Sequence, residues 1–322
     1  MATKKSSKKR QDSLPEPLND VSAMSTPRGT EKVMADLMRL LSQQNFSSEA
    51  EVNAFMQNLM ASGGKVPELP AATPLDEAQE LMYEAFESTN SAERIRLAQQ
   101  ALKTSKDCAD AYVLLAQESA PTPQAARTLY EAGVKAGERA LGPQAFKEMK
   151  GHFWGVIETR PYMRARCGLA QTLWALGERQ SAIEHFNEML RLNPGDNQGI
   201  RYLLVTLLLE VGDDKALEKL LKKFKDDYSA TWKYTHALLC FKREGNSAKA
   251  NLLLHDAVAY NPHVPAYLLG KKHIPKRLPA FVGLGDQDEA IHYAVDAKPI
   301  WQKTSHALDW LREAPATRNK NG

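Results

Sequence analysis

Two short stretches decide how this chain folds. Asn193-Pro194-Gly195-Asp196-Asn197 and Asn261-Pro262-His263-Val264-Pro265 each follow one helical pattern and precede another. Their first prolines stand 68 residues apart, twice 34, and Gly177, Gly212 and Gly245 recur around them at spacings of 35 and 33. Glycine permits a tight turn between helices, and proline, which lacks an amide proton, blocks further helix. The two Asn-Pro segments therefore read as the same position of one helix–turn–helix repeat.

A period of 34 residues in such a unit is the tetratricopeptide signature. In the unit starting at Met163, Leu169 and Ala170 belong to the first helix and Gly177 opens the turn. Ala182 and Phe186 face inward from the second helix, and Pro194 ends it. The unit starting at Thr231 repeats this with Ala237, Leu238, Gly245, Ala250, Leu254 and Pro262. The unit between them keeps Leu204, Gly212 and Ala216 but lacks the proline, and two upstream pairs within residues 76–138 match less well. One helix pair cannot bury its own apolar face, so at least three must stack. The expected fold is all-α: a tetratricopeptide-type α-solenoid with a small N-terminal helical hairpin.

The domain plan follows composition. Residues 1–29 are polar and rich in Ser, Pro and Lys, which predicts a disordered basic tail. Residues 30–64 carry two amphipathic stripes, Val33, Leu37, Leu40 and Leu41, then Val52, Phe55, Met56 and Leu59, and end at Gly63-Gly64. They predict the hairpin. Residues 65–74 hold three prolines and read as a linker. The repeats are expected over 75–263, interrupted near 134–160 by a segment carrying Phe146, Phe153 and Trp154. A C-terminal helical cap and short tail complete the chain over 264–322.

Hydrophobic and charged contents of 43% and 25% are those of an ordinary globular protein. Cys108, Cys167 and Cys240 are widely spread, which argues against a disulfide framework and fits a reducing compartment. The longest apolar run, Tyr202 to Val211, is about half of what a membrane span needs, and no apolar stretch follows the basic N-terminus. A cytoplasmic protein without a membrane span is expected. The net charge of +3 lies wholly in residues 1–30, so the remainder is neutral on balance, unlike a dedicated nucleic-acid-binding fold.

From Asn261 onward the sequence is more specific. "NPHVPAYLLG", Leu278-Pro279, "GDQDEAIHYA" from Gly285, Trp301 and "ALDWL" from Ala307 resemble the C-terminal part of the suppressor-of-tumorigenicity-7 family. That family carries degenerate tetratricopeptide-like helices just upstream, and the likeness covers roughly residues 160–311. The resemblance implies a fold and supplies no catalytic residue to carry over.

Signatures of known chemistry are missing. There is no GxSxG, HExxH, P-loop or CxxC. Glu289 and His292 make one Glu-x-x-His, where a di-iron bundle needs two. His236 and Cys240 share a helix face, but two ligands fall short of the four of a structural zinc site. No catalytic residue, metal or cofactor is therefore expected. A non-enzymatic scaffold is, holding a peptide or helix of another protein against the inward face of the first helices. Repeat positions place Arg164, Gln171 and Trp174, then Tyr202, Thr206 and Glu210, then Trp232, Lys242 and Arg243 on that face. Aromatic side chains with arginine are typical interface anchors. The alternative is an accessory protein that contacts nucleic acid or ribosomes weakly through the basic tail.

Overall fold

The computed structural model describes residues 28–314 apart from Lys65 and Glu68. All but the last two residues of the expected basic tail, and residues 315–322, lie outside these. The described residues form fifteen α-helices, one short 3-10 turn and no strand. They divide into two compact units that part between Thr172 and Leu173. Within each, successive helices pack on their neighbours in chain order, the packing of an α-solenoid.

The first unit begins with α1 (Arg28–Ser42) and α2 (Glu49–Ala61). α1 packs on α3 (Pro74–Glu87) and on the 3-10 turn at Ile157–Thr159. Arg39 ties it to Glu80 of α3 at 2.9 Å and to the Leu69 carbonyl at 3.2 Å. No residue of α2 is fully buried. α3 starts at a capping box in which Thr73 and Asp76 bond each other's backbone amides, which fixes the end of the proline-rich linker. α4 (Ser91–Thr104) and α5 (Ala109–Glu118) follow, with Met82, Leu97, Ala98 and Leu114 at the centre of their core.

The segment expected to interrupt the array is helical for half its length. α6 (Pro123–Glu148) runs on to a break at Gly142, where φ is 67° and Pro143 follows. Gly133 and Gly137 look like helix breakers in sequence, yet they serve close approach. A Cβ on Gly137 would stand 2.8 Å from the Tyr162 Cβ and 3.0 Å from its Cα. Phe146, near the end of α6, packs edge to face or tilted with Phe153 and Tyr162, the three ring centroids lying 5.1–6.0 Å apart.

Inside this unit the Arg164 guanidinium of α7 (Arg160–Ala175) meets two carboxylates. Its Nε and Nη2 donate to Asp110 at 2.7 and 2.6 Å, and Nη2 and Nη1 donate to Glu31 at 2.9 and 3.1 Å. Both acids are buried. Burial pulls the Arg164 pKa down, but Asp110 and Glu31 outweigh it and hold the pKa above its ordinary value.

The second unit contains the helical hairpins that the glycine spacing foretold around Gly212 and Gly245. After α7 come α8 (Arg179–Leu192), α9 (Ile200–Val211), α10 (Asp214–Lys223), α11 (Ala230–Glu244) and α12 (Ala248–Tyr260). Gly177 and Gly212 sit at φ 82° and 73°, and the next residue's amide reaches back to the Leu173 or Leu208 carbonyl. This is the left-handed closure that favours glycine. Asn193 and Asn261 each end a helix by donating their amide to a carbonyl four residues back, and Pro194 and Pro262 follow at once. The two segments then diverge. Asp196 receives the Ile200 and Arg201 amides at 2.7 and 2.9 Å and starts α9, whereas the Asn261 side chain donates to Glu289 at 3.0 Å.

Candidate functional site

α9 reads "IRYLLVTLLLEV", and seven of its twelve residues are buried. A helix apolar on almost every face needs cover on more sides than its hairpin partner supplies. The missing side comes from the C-terminal segment. α13 (Val264–Leu268), α14 (Gln287–Lys303) and α15 (Ala307–Glu313) fold back, and α14 packs on both α9 and α11. Ala290, Ala294 and Ala297 give α14 a small-residue face that permits this approach. Glu289 fixes its start by accepting from the Ala230 amide at 2.9 Å, the Gly285 amide at 2.8 Å and Asn261 Nδ2. Tyr234 and Tyr293 pack at 5.6 Å. Trp301 is fully buried with its indole donating to Tyr293, and Trp310 stacks on Phe241 at 4.3 Å.

Where the C-terminal halves of α11 and α14 part, an open cleft of about 980 Å3 remains. Leu209, Phe241, Pro299 and Ile300 supply its apolar surface. Thr206, Glu210, Lys242, Asn246, Asp296, Lys303, Ser305 and His306 supply its polar rim. Several of these are already engaged. Glu210 accepts from the Trp174 indole at 2.6 Å and from Arg179 at 2.7 Å, and Lys242 pairs with Asp214. Lys303 forms no ion pair among the described residues. Burial pushes the Asp296 carboxyl up to about 6, against the opposing pull of His292 and a hydrogen bond from Thr206. His306 adopts φ 59°, a left-handed conformation rare outside glycine. The cleft is thus an apolar slot with a mixed polar rim.

The residues proposed from the repeat are dispersed by the structure. Thr206 and Lys242 line the cleft, and so does Glu210. Arg243 lies outside its lining, bonded to Glu218 at 2.8 Å. Trp174 is buried on Glu210. Tyr202 donates to Asp227 at 2.8 Å, and its ring meets the Trp232 ring edge-on at 5.6 Å. Both rings, with Phe224, surround the Arg201 guanidinium, so this aromatic and arginine group holds the fold together. Arg164 is enclosed by Glu31 and Asp110 in the first unit, and Gln171, part-buried, also belongs to that unit. The repeat positions gave no sign of Asp296, Ile300, Lys303 and His306, because these come from outside the repeat. The one available signal was the all-round apolarity of α9.

Other candidates resolve into structural roles. Glu289 of the Glu-x-x-His serves three backbone and amide donors, and His292 Nε2 lies 3.0 Å from the Pro279 carbonyl. Among the described residues no group of three His, Cys, Asp or Glu could hold a metal ion. All three cysteines are buried and none is in a disulfide, and burial pushes the Cys108 thiol up to about 12. No helix among the described residues is long and apolar enough to cross a membrane.

The described residues thus define an all-helical protein of α-solenoid packing in which, within the second unit, α14 packs on α9 and α11. The chain belongs to the ST7 protein family, whose model matches residues 69–315. It is 30% identical over 260 residues to the human "Suppressor of tumorigenicity 7 protein-like", covering 72% of this chain and 44% of the human one. The chicken protein of the same name is 29% identical over 259 residues, covering 72% and 45%. The "Protein ST7 homolog" of Drosophila melanogaster is 29% identical over 260 residues, covering 73% and 48%. The match thus spans less than half the length of these relatives. No solved structure matches the chain significantly.

Proposed function

We propose that this ST7-family chain is a non-enzymatic adaptor, of tetratricopeptide type, that holds a short segment of another protein in the cleft between α9, α11 and α14. One observation carries it. α14 packs on α9 and α11, and between them the cleft leaves Leu209, Phe241 and Ile300 beside Lys303, which forms no ion pair among the described residues. A slot of about 980 Å3 matches the size of small-ligand and short-peptide sites. Three buried cysteines, none in a disulfide, support a reducing, cytoplasmic setting.

The test places a photo-crosslinking amino acid at Ile300, with a control at Leu252, an exposed residue of α12. The expected result is a discrete adduct at Ile300 that is absent at Leu252. A peptide copied from the adduct should bind the wild type and fail to bind Leu209→Trp, which fills the slot. An adduct common to both positions, or a peptide indifferent to Leu209→Trp in a protein with unchanged circular dichroism, overturns the proposal.

A further inference from the structure

The loop joining α13 to α14 has a second kind of surface. Residues 271–285 contain Lys271, Lys272, Lys276 and Arg277 and no acidic residue. At its tip Phe281 is 87% exposed, Leu284 77% and Val282 42%. No other large apolar side chain among the described residues is as exposed as Phe281 or Leu284. Scattered exposed apolar residues need no explanation, but three within four positions do.

The base of the loop is firmly fixed. Ile274 and Leu278 turn inward and pack on the core of the second unit. The Lys272 amide donates to the Ala266 carbonyl at 2.9 Å, and its ammonium donates to Gln287 at 2.9 Å. The Gly283 and Gly285 amides donate to Asp286 and Glu289 at 3.1 and 2.8 Å. The loop therefore buries its apolar residues where it can and holds the other three outward. Lys271, Lys276 and Arg277 form no ion pair among the described residues.

An exposed apolar cluster that follows, in the same loop, cations without ion pairs among the described residues fits one environment by charge and by layering. In an anionic bilayer surface, apolar groups enter beneath the headgroups while Lys and Arg stay among the phosphates on their flexible stems. We propose that residues 271–285 are a peripheral membrane-docking loop, with Phe281, Val282 and Leu284 entering the interface and Lys271, Lys276 and Arg277 engaging anionic headgroups. None of these residues lines the cleft, so the two proposals stand independently.

The test is co-sedimentation of the full chain with vesicles of phosphatidylcholine alone, or with about a third phosphatidylserine. Wild type should partition onto the anionic vesicles and release as salt rises. Each cation near such a surface is worth about a factor of five, so Lys276→Glu with Arg277→Glu should weaken partitioning at least about twenty-five-fold. Phe281→Ser with Leu284→Ser should weaken it at least about tenfold. All four substituted side chains are at the surface, so circular dichroism should not change. The basic N-terminal tail is common to wild type and variants, so differences between them report the loop. An environment-sensitive dye on Leu284→Cys should shift to the blue only with anionic vesicles; the native thiols are buried and resist labelling. Equal sedimentation of wild type and both double variants, or a dye that stays in water on sedimented protein, overturns the proposal. That outcome would leave a partner protein's pocket as the occupant of the tip.

Discussion

Replacing Arg164 by Met tests the energetic centre of the first unit. The guanidinium makes four hydrogen bonds, two each to Asp110 and Glu31, and both acids are buried. Methionine keeps most of the volume and removes the charge. Glu31 would retain Arg160 at 3.2 Å, and Asp110 would retain Gln79 at 3.1 Å, so neither acid becomes wholly unpartnered. Two buried carboxylates would still share too little positive charge, and breaking such a group costs about 3–5 kcal/mol. The loss should be read by urea denaturation, with hydrogen exchange by mass spectrometry to locate it. Exchange should rise in α1, α5 and the start of α7, while α11 and α12 stay protected. Combining it with Glu31→Leu and Asp110→Leu should restore most of the loss, since an apolar set can replace a buried ionic one. A loss under about 1 kcal/mol for Arg164→Met, or a triple variant as unstable as the single one, would refute the reasoning.

Three further outcomes follow from the geometry. Asp296 has a folded pKa of about 6, above its unfolded value, so its contribution to stability is full below the unfolded pKa and is lost as the pH rises through about 6. Asp296→Asn should therefore stabilise the protein at pH 7 by about 1–3 kcal/mol and hardly at all near pH 4, as thermal melts at the two values would show. Gly137→Ala should destabilise by about 1–3 kcal/mol in urea, because its Cβ would press on the Tyr162 backbone. Glu289→Gln should cost about 1–3 kcal/mol and raise hydrogen exchange at Ala230 and Gly285, since one carboxylate oxygen that accepts their amides becomes a donor.

The sequence by itself determined the hairpins of the second unit. Asn-Pro stops, left-handed glycines and capping residues act within a few positions of themselves, so they leave a periodic trace. The spacing of Gly177, Gly212 and Gly245 located three turns, and Asp213 and Ser247 cap the helices that follow the second and third of them. The tertiary structure alone decided what lies against the inner face. Arg164 meets Glu31 133 positions away, Ala230 meets Glu289 59 away, and α14 covers α9 from beyond the repeat. Pairings over such distances are set by which surfaces remain unburied after the local elements form, and no spacing in a single chain records them. The same cause set Tyr202 and Trp232 beside Arg201, and brought Asp296, Ile300 and Lys303 to the cleft beside Thr206, Glu210 and Lys242.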